Sequence, residues 1–293
     1  MANQAKLQLI ASMVIFGTIG IFVRYIPLPS SCIAVVRGFV GALFVLLFLS
    51  LKKSKPDKKA IRKNFVMLAL SGIFIGINWI LLFESYNYTT VATATLCYYM
   101  QPIFVILASP FLLKEKLTAK KVICVLVALV GMVFVSGVVQ TGIPALSEAK
   151  GILYGLGAAF FYASVVLMNQ KIREISAYDK TIVQLGAGAI VLLPYVLLTQ
   201  DMGAVRSALS PFVLFMLLFV GIVHTGVAYA LYFGSMKDLK AQTIAIFSYI
   251  DPIVAIVLSA LLLKESMGIY GVIGAVLVLG STCVSELPEK EKT

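Results

Sequence analysis

Residues 249 to 265 read YIDPIVAIVLSALLLKE, and residues 99 to 115 read YMQPIFVILASPFLLKE. The two share Tyr, Pro, Ile, Ser, a Leu-Leu pair and a closing Lys-Glu in one register, at a constant offset of 150 residues. Each is apolar enough for a membrane span, yet the second carries Asp251, and an aspartate deep in a bilayer is costly. The correspondence runs upstream without a gap. Trp79 to Pro102 (WILLFESYNYTTVATATLCYYMQP) aligns at the same offset with Tyr229 to Pro252 (YALYFGSMKDLKAQTIAIFSYIDP). The chain therefore contains one pattern written twice.

With 60% hydrophobic and 13% charged residues, the 293-residue chain has the composition of an integral membrane protein. Apolar runs of the length that crosses the hydrocarbon core predict ten helices. They lie near 7–26, 30–51, 65–83, 90–113, 121–139, 151–170, 181–199, 211–233, 240–263 and 268–286. The fold class is thus all-α, with ten transmembrane helices in two five-helix repeats, 1–139 and 151–286. Because five is odd, the second copy enters the membrane from the opposite side. The repeats are inverted, an arrangement that suits alternating access around a site at the midplane.

The net charge of +11 is explained by where the cations sit. With the N-terminus in the cytoplasm, 19 of the 24 lysines and arginines fall in inner segments, the densest being KKSKPDKKAIRKN at 52–64, read as a solvated loop. Arg24, Lys150, Arg206 and Lys264 fall outside, and Arg37 lies within a span. This positive-inside bias predicts a multi-pass plasma-membrane protein with both termini cytoplasmic. It also accounts for the charge without nucleic acid as a partner.

No GxxxxGK[ST], GxSxG or HExxH motif is present, and there is a single histidine, so neither nucleotide-driven pumping by this chain nor metal or nucleophilic catalysis is expected. No catalytic residues, metal site or cofactor are assigned. Cys32, Cys97, Cys124 and Cys283 all fall in spans and read as small apolar packers. Glycine pairs such as Gly17/Gly20, Gly38/Gly41 and Gly72/Gly76 read as close helix crossings.

Asp251 sits near the middle of the ninth span, either as a titrating group or as an acid capping backbone freed by Pro252. Pro102 and Pro252 occupy equivalent places and predict a kink in each copy, either static or a gate. Tyr98 and Gln101 are three apart, as are Ser248 and Asp251, so each duplicated helix is expected to turn a polar face to the centre. His224, in the eighth span, reads as a packing residue or a proton-coupling group. Glu84, at the outer end of the third span, is either solvated at the interface or an outer-gate acid that meets Arg24 or a cationic substrate. Arg37 could snorkel, bind a substrate carboxylate or bridge an acid such as Glu84, and the bridge is favoured. Trp79, Tyr98, Tyr99, Tyr162 and Tyr229 combine apolar faces with polar edges.

The duplicated turn, helix with a central x-Pro and closing Leu-Lys-Glu resemble the paired EamA domains of the drug/metabolite transporter superfamily, over nearly the whole chain. The resemblance implies ten helices, a cavity shared by both halves, and secondary transport of small metabolites, amino acids among them. It also implies a lining from the middles of the third, fourth, sixth and ninth helices. Here those regions hold Asn78, Trp79, Tyr98, Tyr99, Gln101, Tyr162, Ser248 and Asp251. One departure is that Gln101 stands in one copy where Asp251 stands in the other. The expected function is export of small amphipathic metabolites such as amino acids. Organic cations or drugs are the alternative substrates, and a channel or a non-transporting membrane protein is the alternative class. Protons as coupling ion and a homodimer stay open.

Overall fold

The computed structural model describes residues 2–112, 118–135, 139, 145–172, 174–236, 247–248, 250–265 and 267–287. Lys114 and Glu115, the start of the ninth span at 240–246, and Tyr249 lie outside the described residues. Those described form helices and short connections, with no strand among them.

The helices are α1 (Ala2–Arg24), α2 (Ser30–Leu51), α3 (Lys58–Tyr88), α4 (Val91–Tyr98), α5 (Gln101–Leu112), α6 (Ala119–Val135), α7 (Leu146–Lys171) and α8 (Ala177–Thr199). After a short α9 (Met202–Ala208) come α10 (Pro211–Phe219), a π-helical segment (Val220–Val227), α11 (Ala228–Met236), α12 (Ile250–Leu262) and α13 (Ile269–Glu286). Among the described residues, seven stretches are long and apolar enough to cross a membrane: Asn3–Arg24, Ser30–Leu51, Lys58–Tyr88, Val91–Ala108, Leu146–Asn169, Tyr178–Thr199 and Pro211–Tyr232. Large apolar side chains cover the outer surface, among them Leu198 at 86% exposure and Phe111 at 85%. Such a surface is stable against lipid, not water. The protein is a multi-pass membrane protein.

Two expectations are corrected by local chemistry. The cationic stretch after Pro56 is not all loop, because α3 already begins at Lys58. The Asp57 carboxylate starts it by accepting from the Lys59 and Ala60 amides at 2.9 and 3.1 Å. The fourth span is two helices rather than one kinked helix. Pro102 has no amide to offer the Tyr98 carbonyl, and the chain leaves the helix just before it. The Met100 amide tightens onto Cys97 O at 3.1 Å, and α5 starts at Gln101. Pro102 thus stands in a first helical turn, where a missing amide costs nothing; the kink expected at Pro252 depends on Tyr249, which lies outside the described residues. Among the described residues, Pro110 and Pro194 stand in helix interiors.

Glycines set the crossings. A Cβ on Gly72 of α3 would run into the Gln184 backbone of α8, and one on Gly188 would meet Gly72 O at 2.6 Å. In the same way a Cβ on Gly131 of α6 would meet Gly274 O of α13 at 3.0 Å, and one on Gly274 would meet Gly131 O at 2.7 Å. Only residues without side chains let backbones approach this closely, which is how helices associate in lipid.

Candidate functional site

Arg37 lies in the middle third of α2 and is 5% exposed. Its guanidinium lies over the Trp79 ring at 4.3 Å from the centroid and 5.7 Å from that of Phe83. Its Nε donates to Thr225 Oγ1 at 2.7 Å. Thr225 belongs to the π-helical segment, whose wider turn lets its hydroxyl reach back to Val220 O at 3.3 Å. Gly221 and Gly226 seat this segment directly on Val40 and Phe44 of α2. Wide turns of this kind recur at functional sites. The ion bridge to Glu84 is not formed. Glu84 instead accepts from Ser30 Oγ at 3.2 Å and Asn87 Nδ2 at 2.7 Å, near the end of the bundle.

Across the centre, Asp251 lies in α12. Its backbone is held against α1, where a Cβ on Gly17 would stand 2.5 Å from Asp251 O. The Tyr99 hydroxyl is within hydrogen-bond reach of the Ser248 carbonyl, at 3.2 Å, and of the Asp251 carboxyl. Its one hydrogen serves one acceptor at a time, and an ionised carboxylate is the stronger. Tyr98 packs on Tyr99 and Tyr162 with ring centroids 6.0 and 5.6 Å apart. Tyr229 meets Phe16 at 5.3 Å. The charges of Arg37 and Asp251 act on each other and on the tyrosines between them, yet neither residue forms an ion pair among the described residues. Tyr98, Tyr99, Gln101, Tyr162, Tyr229, Ser248 and Asp251 all stay partly accessible, although they lie among helices from both halves.

The structure therefore brings together Arg37, Trp79, Tyr98, Tyr99, Tyr162, Tyr229 and Asp251 around one centre. Tyr98 and Gln101 do not share a helical face, since the turn at Tyr99–Met100 separates them. Asn78 does not line the centre either. It is 1% exposed, and its Nδ2 donates to Ala158 O of α7 at 2.6 Å, clamping α3 to α7. Asn78→Ala is expected to lower unfolding stability by about 0.6 kcal/mol, the usual worth of an interhelical bond in lipid, and to leave substrate affinity unchanged. Thermal unfolding beside an affinity measurement checks both parts. His224 is 1% exposed between Phe22 and Phe219, with centroids 4.9 and 5.6 Å away. Its Nε2 shares a hydrogen with Thr18 Oγ1 at 2.8 Å, and its Nδ1 faces the Phe219 carbonyl without a hydrogen bond of ordinary geometry.

Phe83 and Tyr86 escaped the sequence reading, although they follow Trp79 at helical spacing of four and seven and that periodicity could have found them. A second polar cluster was also missed. Arg24, at the end of α1, pairs with Glu265 at 2.7 Å and donates to Thr89 O at 3.0 Å. The other oxygen of Glu265 accepts from the Val91 amide at 2.9 Å and from Ser259 Oγ at 2.5 Å. One carboxylate thereby ties α1, the start of α4 and α12 at one end of the bundle.

The family model described as the EamA-like transporter family matches this chain twice, over residues 4–137 and 149–286. An uncharacterized transporter of Bacillus subtilis, YxxF, is 32% identical over 286 residues, spanning 97% of this chain and 89% of the relative. An uncharacterized transporter of Archaeoglobus fulgidus is 26% identical over 94% of each chain. A solved crystal structure superimposes over 97% of both chains with a TM-score of 0.66 at 17% identity, a likeness of fold.

Proposed function

Because the chain belongs to the EamA-like transporter family, we propose that it is a secondary transporter that exports small amphipathic metabolites, amino acids or related compounds, by alternating access. The observation that carries this is the meeting of Arg37 and Trp79 from the first half with Asp251 and Tyr162 from the second around partly accessible tyrosines. A site made by both halves opens to either side when the halves rock against each other.

Ten spans in two inverted repeats are part of this proposal. The packing supports it, because each strong helix contact has an image under exchange of the halves. Thus α3 packs on α7 as the α10–α11 rod packs on α1, and α3 packs on α8 as that rod packs on α2. Likewise α1 packs on α12 as α7 packs on α4 and α5. The pairs α2 with α8, α4 with α12 and α6 with α13 are their own images. Polar contacts also sort by end. Lys63 bonds Glu174 and Lys120 bonds Leu287 O at one end, whereas Arg24 bonds Glu265 at the other. This agrees with ten alternating spans and cytoplasmic termini in the plasma membrane. Reporter fusions after Leu51 and Thr293 should read cytoplasmic, and one at Thr141 should read outside. A cytoplasmic reading at Thr141 would remove the inverted arrangement.

Saturable counterflow of amino acids in proteoliposomes tests the transport reading. Flux that rises linearly with concentration, without counterflow, would make the protein a channel. A carrier coupled to protons accumulates substrate when a pH gradient is imposed, and equal uptake with and without the gradient would exclude protons as the coupling ion.

A further inference from the structure

The eighth span carries one residue more than its image in the first copy. Residues 65–74 (FVMLALSGIF) align with 214–223 (LFMLLFVGIV) at an offset of 149, and residues 76–83 (GINWILLF) align with 226–233 (GVAYALYF) at an offset of 150. Where the first copy has Ile75, a buried apolar residue, the second has His224 and Thr225. The π-helical turn takes up the extra residue. The helix crossing is kept all the same, since Gly72 and Gly76 seat α3 on α8, and Gly221 and Gly226 seat the α10–α11 rod on Val40 and Phe44 of α2.

Both members of the inserted polar pair are used. His224 reaches α1: the Thr18 hydroxyl gives its hydrogen to Ile15 O at 2.7 Å, so the histidine Nε2 donates in their 2.8 Å contact. Thr225 reaches α2: it accepts from Arg37 Nε at 2.7 Å while its own hydrogen points to Val220 O at 3.3 Å. Among the described residues this is the only hydrogen bond that Arg37 makes. The first copy solves the same crossing differently. Counted from the helix starts at Ser30 and Ala177, Gln184 of α8 stands in the place of Arg37, and it donates to Ser71 Oγ of α3 at 2.7 Å. The image of Ser71 is Val220, which has no hydroxyl. The copy with the charged residue therefore takes its partner from the insertion, one wide turn further along.

We propose that Thr225 is the positioning residue of Arg37: the inserted turn supplies the hydroxyl that fixes Nε and so holds the guanidinium on the Trp79 face, beside the centre shared by both halves. The inference rests on that centre being the transport site proposed above. A guanidinium this deep in a membrane protein is costly to leave loose. Without the Thr225 hydroxyl, only the ring faces of Trp79 and Phe83 orient it among the described residues.

Trp79 is the only tryptophan of the chain, so its fluorescence reports on the cation beside it. Emission spectra of the full-length protein in lipid nanodiscs are compared for the wild type, Thr225→Val, Thr225→Ser, Arg37→Gln and the double variant Thr225→Val/Arg37→Gln. Thr225→Val should move the spectrum most of the way to that of Arg37→Gln, Thr225→Ser should keep the wild-type spectrum, and the double variant should match Arg37→Gln. Counterflow in proteoliposomes loaded with amino acids should follow the same order. It should fall at least about tenfold in Thr225→Val, the loss of one hydrogen bond to a charged group, and no further in the double variant than in Arg37→Gln. A valine that only loosened the bundle would add its loss to that of Arg37→Gln, and such additivity would overturn the proposal. A wild-type spectrum in Thr225→Val would overturn it as well. Absence of saturable counterflow in the wild type would remove the transporter reading, while the spectra would still decide whether Thr225 holds Arg37.

Discussion

Replacing Gly17 with valine is expected to abolish transport, and replacing it with alanine to weaken it at least about tenfold, the effect of an overpacked contact that shifts a site by a fraction of an ångström. The reason lies in one crossing. A Cβ at position 17 would stand 2.5 Å from Asp251 O and 2.7 Å from Val254 Cβ. The obstruction is partly backbone, so no rotamer change relieves it, and α12 must move away from α1. That movement carries Asp251 away from Tyr99 and from the centre shared with Arg37. Helix propensity acts in the opposite direction, since alanine is the better helix former. Abundance in the membrane should therefore fall less than transport for the alanine variant. Substrate counterflow, normalised to the monodisperse protein recovered in detergent, measures the difference. Counterflow at wild-type rates in Gly17→Ala would show that the α1–α12 crossing does not position the site.

Glu265→Gln is expected to favour opening of the end of the bundle that lies outside in the proposed topology. The carboxylate there pairs with Arg24 at 2.7 Å while also accepting from the Val91 amide and Ser259. A neutral amide keeps the shape but gives up charge-assisted bonds, a loss of about 2 kcal/mol or about 30-fold in the balance between closed and open forms. The pair is partly exposed, with side-chain accessibilities of 31% and 17%, so that figure is an upper bound. A cysteine placed at Gln101, beside the centre, should react faster with a membrane-impermeant maleimide added outside when Glu265 is glutamine. Arg24→Gln should produce the same direction of change, and the double variant little more, because both remove one contact. Unchanged labelling in both single variants would show that another contact closes this end.

Much of the architecture was legible because it rests on local and repeating features. Bilayer thickness makes a span readable as a run of apolar residues, and duplication leaves the same register of Tyr, Pro and Leu-Leu at 99–115 and 249–265. The expectation that the cations at 52–63 face the cytoplasm likewise rests on a local feature, the charge bias of the connecting segments. Even the break before Pro102 has a local cause, the missing amide, though only the folded chain showed that the helix stops and restarts there instead of bending.

Which side chains meet is a different matter, since it depends on which helices cross and at what depth. Arg37 had several acids to choose from in sequence, and the crossing of α2 with the π-helical segment gave it Thr225 and the Trp79 face instead of Glu84. Arg24 found Glu265, which is 241 positions away, while Glu84 turned to Ser30 and Asn87. Asn78, polar and mid-span, looked like a lining residue until the contact with α7 consumed its amide. The sequence alone determined that the chain is an apolar, duplicated, multi-pass protein, since composition and periodicity are properties of the chain by itself. The tertiary structure decided which of its few buried charges are paired and which are left facing the centre, because glycine contacts such as Gly17 on Asp251 and Gly72 on Gln184 set helix positions to within a side-chain width.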